Sequence, residues 1–155
     1  MPNRPRSPFF MPYQPPAGLP GERPEASTTC TAVGDTYSYP GGLSALAESW
    51  RDGIWKVQRT PFLPGAFTSL YGVSCRSPRA CAAVGGYTTG SGLAAPVAEA
   101  WDGTAWALQA TPRPRSGTDS VLAGVSRGPA AGFTAVGSHL TGAQVSATLA
   151  GTGPG

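Results

Sequence analysis

The chain repeats itself. Ala47-Glu48-Ser49-Trp50, followed by Trp55, Gln58, Thr60 and Pro61, returns as Ala98-Glu99-Ala100-Trp101, followed by Trp106, Gln109, Thr111 and Pro112. Every residue moves by 51 positions, as from Trp50 to Trp101 (101 − 50). A fixed period of about fifty residues marks a repeated supersecondary unit, in which no unit buries its apolar face alone. A third copy follows at an offset of 52 (124 − 72): Gly72-Val73-Ser74 returns as Gly124-Val125-Ser126, and Ala83-Val84-Gly85 as Ala135-Val136-Gly137.

Within the repeats, short apolar runs alternate with Gly, Pro and Ser, and no long stripe has helical spacing, so the expected class is all-β. Leu70 to Cys75, Ala80 to Val84, Ala95 to Trp101 and Ala105 to Ala110 read as four strands. That is the content of one propeller blade. The expected architecture is a propeller-like array of four-stranded antiparallel blades over residues 29–150, with repeats at 29–69, 70–120 and 121–150. The first and last of these read as partial. The opening strand of the first would fall near residues 19–24, inside a Pro-rich arm over 1–28 that reads as disordered. A P-x-x-P spacing from Pro12 to Pro15 could serve a PPII-binding partner. Residues 151–155 read as a Gly-rich tail that interrupts the third repeat, which admits a truncated product without a function of its own.

The tryptophans define the unit. With Asp52-Gly53 as a two-residue type I′ turn, Trp50 falls opposite Trp55 and Glu48 opposite Val57. Gly103-Thr104, with Gly first, suits type II′ and sets Trp101 opposite Trp106. An aromatic cross-strand pair fixes register and contributes about 0.5–1.5 kcal/mol beyond its buried area. The four tryptophans are therefore read as structural, with an aromatic platform for sugars as the functional alternative.

The run Ala82-Ala83-Val84-Gly85-Gly86, followed by Trp101 and Trp106, resembles the kelch-type propeller repeat. Gly34-Asp35 and Gly137-Ser138 stand where that pattern has Gly-Gly. Val73-Ser74-Cys75, Cys81 to Gly85, and Ala98 to Gly103 also resemble tandem repeats of many secreted proteins of high-GC bacteria. The resemblance covers residues 29–150. It implies a propeller-like architecture, a binding role toward protein or glycan partners, an extracellular location and no agreed activity.

Cys75 and Cys81 flank the turn between the first two strands of the complete repeat, and a disulfide is expected there in an exported protein. Cys30 aligns with Cys81, but its own partner position holds Pro24, so Cys30 is expected to be free. Three Cys and His139 in different repeats lack the tight spacing of a zinc site. No cofactor is implied.

Glu48 and Glu99 recur in register, whereas a catalytic pair needs two carboxylates in unlike surroundings facing one substrate. They are expected on a solvated strand face or bonded to backbone. His139 aligns with Tyr87 at a strand end and reads as a loop or core-edge residue. Asp102-Gly103-Thr104-Ala105-Trp106 is similar to the Asp-box turn of sialidase-type propellers, and a fragment of a propeller glycoside hydrolase is the enzyme alternative to a non-catalytic module.

A net charge of +3, almost wholly from arginine with Lys56 the single lysine, is spread along the chain. No basic stripe with interleaved aromatics points to nucleic acid. No apolar run approaches the roughly 20 residues of a membrane helix, or the apolar core of a signal peptide. Fewer than three blades cannot close a ring, so the expected partners include further copies of the chain, recruited through open blade edges.

Overall fold

The computed structural model describes residues 9–12, 29–88, 90, 92–111, 119–128, 132–140 and 146–153, with backbone alone for the first and last of these segments. The described residues contain strands and turns and no helix. The strands are β1 (Phe9–Pro12), β2 (Thr29–Ser38), β3 (Gly42–Arg51), β4 (Ile54–Gln58), β5 (Phe67–Ser77), β6 (Ala80–Thr88), β7 (Ala94–Trp101), β8 (Trp106–Leu108), β9 (Ser120–Arg127), β10 (Phe133–Leu140) and β11 (Ser146–Gly153).

They form three antiparallel sheets, one per repeat. Sheet A runs β1-β2-β3-β4, sheet B runs β5-β6-β7-β8, and sheet C runs β11-β10-β9. Trp50 pairs with Trp55 and Glu48 with Val57, and Trp101 pairs with Trp106. Asp52 and Gly53 both have positive φ, 52° and 81°, as the type I′ turn requires. In sheet B, Gly103 takes φ 96°, while the Asp102 carboxylate accepts the amide hydrogens of Thr104 and Ala105 at 2.7 and 2.9 Å.

Two expectations are corrected. The first sheet takes its opening strand from Phe9–Pro12, paired with Val33 to Cys30, in place of the strand expected near residues 19–24, so these four residues of the Pro-rich arm are a strand. A four-residue edge strand whose only proline is its last residue keeps its other amides available for pairing, so hydrophobic period gives no warning of it. Residues 13–28, with Pro15 of the P-x-x-P spacing, lie outside the described residues, as do 1–8. At the other end, Gly151 to Gly153 belong to β11 and pair with Ala135 to Phe133, so the expected tail begins later.

Strand alternation gives each sheet two faces. The front carries the tryptophan pair, and the back carries the residues between. The front of sheet B packs on the back of sheet A, where Val33, Ala45 and Ala47 meet Leu70, Val73, Ala83, Val97 and Trp106. The front of sheet C packs on the back of sheet B in the same way, with Leu122, Val125 and Ala135 against Val84 and Ala98. Equivalent residues therefore do equivalent work one repeat later. Thr60 Oγ1 donates to the Ala45 carbonyl at 3.0 Å, and its counterpart Thr111 donates to Pro96 at 3.4 Å.

The repeated glycines follow from this packing. Register shifts between Leu70 and Gly72, and opposite Val136/Gly137, push the partner backbone against Gly85 and Gly137. A Cβ on Gly85 would lie 2.0 Å from the Ser69 oxygen, and one on Gly137 1.9 Å from that of Val121. Gly86 makes room for sheet C, since its Cβ would sit 2.9 Å from Val121 Cγ1. Gly34, the counterpart of Gly85 in sheet A, meets nothing within 4 Å.

Candidate functional site

A cleft of about 540 Å³ opens where sheets A and B diverge beside their hairpin turns. Deeper in this seam the two faces are apolar and buried. Toward the turns, the back of sheet A becomes polar, and the contact opens. Thr29, Thr31, Ser49, Arg51, Ile54 and Lys56 line one wall. The registers Thr29 to Arg51, Thr31 to Ser49, Ser49 to Lys56 and Arg51 to Ile54 place all of them on one face. The facing wall carries Trp101, Cys75, Pro78 and Arg79, and the turn at Asp102 to Thr104.

Several bonds hold that wall. The Trp101 indole donates to the Pro78 carbonyl at 3.2 Å and packs against Trp106 at a tilt of 40°, with ring centroids 5.7 Å apart. The Arg79 stem lies over Gly103, whose Cβ would come within 3.0 Å of it. Cys75 and Cys81, directly paired across β5 and β6, form the expected disulfide, and Cys30 is free. At the bottom of the seam, Trp106 Nε1 donates to Gln58 Oε1 at 2.9 Å, linking the two sheets.

Glu99 departs from expectation. It sits on the front of sheet B between Val97 and Trp101, 1% exposed, and neither carboxylate oxygen has a hydrogen-bond partner. The solvated face expected for it is closed by sheet A, and burial lifts its carboxyl from 4.5 to about 7. Glu48, half-buried, occupies the same position on the front of sheet A. Sheet A itself stands between the two carboxylates, so they face no common space. Asp102 titrates below the ordinary carboxylate range because of the bonds from Ala105 and Thr104.

Of the residues singled out from sequence, Trp50, Trp101 and Cys75 line the cleft, while Cys81, Trp106, Gly85 and Gly86 are buried in the packed sheets and Trp55 is 40% exposed on the front of sheet A. His139 lies in β10, half-buried, with Nδ1 shielded from solvent. Among the described residues no group of three or more His, Cys, Asp or Glu could hold a metal ion. Sequence reasoning missed Arg51, Lys56 and Arg79 as a group, because they come from two repeats. Their meeting depends on the front-to-back stacking.

No protein-family model matches the chain, and no curated protein matches it.

Proposed function

We propose that the chain is a non-catalytic binding module, a propeller-like stack of blades that docks a glycan or protein partner in the cleft between its first two sheets. The observation that carries this reading is the cleft itself. It is lined by Trp101, hydroxyl groups and three cationic side chains, Arg51, Lys56 and Arg79, against the carboxylates of Asp52 and Asp102. An indole with hydroxyls and charged groups suits a polar ligand that also has an apolar side. The Cys75–Cys81 disulfide accords with an oxidising, extracellular setting. Chemical-shift mapping on labelled protein against panels of oligosaccharides and peptides tests the reading. Shifts confined to residues 29–31, 49–58, 75–79 and 101–104 support it, and shifts elsewhere, or turnover of a ligand, overturn it.

A homo-oligomer is a second reading, favoured by one series of equivalent residues. Val33 and Val84, on backs covered by the next sheet, are 1% and 2% exposed, whereas Val136, on the back of sheet C, is 48% exposed. A further copy set front-to-back on sheet C would cover it, a contact through a face in addition to the edge pairing expected from sequence. Sedimentation checks this: wild-type protein should associate and Val136→Arg should not.

A further inference from the structure

The repeats match in backbone and core, yet one wall departs from repeat symmetry. On the back of sheet A, the cleft is lined by Thr29, Thr31, Ser49, Arg51, Ile54 and Lys56. One repeat later, the back of sheet B has Ala80, Ala82, Ala100, Asp102, Ala105 and Ala107 at those positions. Folding does not require the polar set, because the same sheet forms with alanine at five of the six positions. The substitutions also run against stability. Exposed alanine asks little of the surface, whereas Arg51 and Lys56 bring two like charges onto adjoining strands, with Arg79 added from the opposite wall. A third observation concerns the acids. Asp102 accepts two turn amides and Asp52 is the other carboxylate of the lining, so three cations face two acids and the cleft keeps a net positive charge.

We infer that this wall is a recognition site for an acidic oligosaccharide, one bearing carboxylate or sulfate groups. The sugar ring lies on the Trp101 indole, its hydroxyls meet Thr31 and Ser49, and its anionic groups meet Arg51, Lys56 and Arg79. Arginine forks suit planar carboxylates and sulfates, and the indole supplies the apolar platform that a sugar's C–H face needs. This inference rests on the binding-module reading and names its ligand class.

The test exchanges one wall for the other. Thr31→Ala/Ser49→Ala/Lys56→Ala gives sheet A the residues that sheet B carries at the same positions, so the fold should persist, as circular dichroism and the melting temperature would report. Binding is measured by calorimetry with a uronate-containing tetrasaccharide, a neutral tetrasaccharide of the same linkage and an acidic peptide. The expected result is binding of the acidic sugar alone, weakened tenfold or more in the triple variant and by added salt. Equal binding of the neutral sugar, or binding unchanged by the triple substitution, overturns the acidic class while leaving a binding module. Binding of the peptide alone overturns the glycan assignment. If none of the three binds, both the inference and the reading beneath it fall.

Discussion

The hairpins at Ala47–Gln58 and Ala98–Gln109 are close to one sequence, share a register and carry the same tryptophan pair, yet they live in different surroundings. Trp106 is 4% exposed and Trp55 is 40% exposed. Glu99 is buried without a partner, and Glu48 is half-buried. The difference arises from one fact outside either hairpin: a sheet stands in front of B. Local sequence writes the hairpin, and the neighbouring repeat decides what each position costs or contributes.

The sharpest way to break this comparison is to truncate the two tryptophans. Trp106→Ala removes a fully packed indole together with its bond to Gln58, and should cost about 3–5 kcal/mol. Trp55→Ala should cost about 1 kcal/mol, the scale of a cross-strand aromatic pair. Urea denaturation of both variants measures the contrast, and equal losses would mean that the front of sheet A is as well covered as that of sheet B.

Glu99 sharpens it through pH. Its folded carboxyl titrates near 7 against 4.5 for the ordinary group. The folded state therefore holds a proton that the unfolded state releases as pH rises above 4.5. Stability should be greatest below that value, decline as pH climbs to about 7, and level off beyond, losing about 3 kcal/mol at most. Unfolding curves between pH 4 and 8 would show this slope in the wild type, and Glu99→Gln should flatten it.

The smallest expected effect compares sheets B and C. The Cys75–Cys81 bridge spans a separation of 6 residues, and a loop that short contributes about 2 kcal/mol. Sheet C pairs Arg127 with Phe133 at the equivalent place and does without it. Reduction should lower the melting temperature while leaving the strands of B intact by far-ultraviolet circular dichroism.

The residues that announced themselves in sequence are those whose partners lie close along the chain. Asp52-Gly53, the paired tryptophans and the Cys75–Cys81 pair all act across a single turn, so spacing alone places them. Glu99 was illegible because its immediate neighbours match those of Glu48, and its burial is imposed by a strand some fifty residues away. The cleft was hidden for the same reason: Arg51, Lys56 and Arg79 look scattered in a list and meet only when the back of one sheet faces the front of the next. β1 was missed because four residues with a terminal proline carry too little pattern to stand out against a Pro-rich background.

The bond from Trp106 to Gln58 has a consequence for how the molecule comes apart. It ties the outermost strands of sheets A and B across a seam that also holds the largest share of the packed core. Neither sheet can open there without exposing the indole and breaking that bond. The seam between B and C rests on a smaller cluster around Val84 and Leu122. The molecule is thus divided into a two-sheet body that melts as one cooperative block and a third sheet that can part from it at lower free energy, so that amide exchange would begin in β9 and β10 while β6 and β7 stay protected.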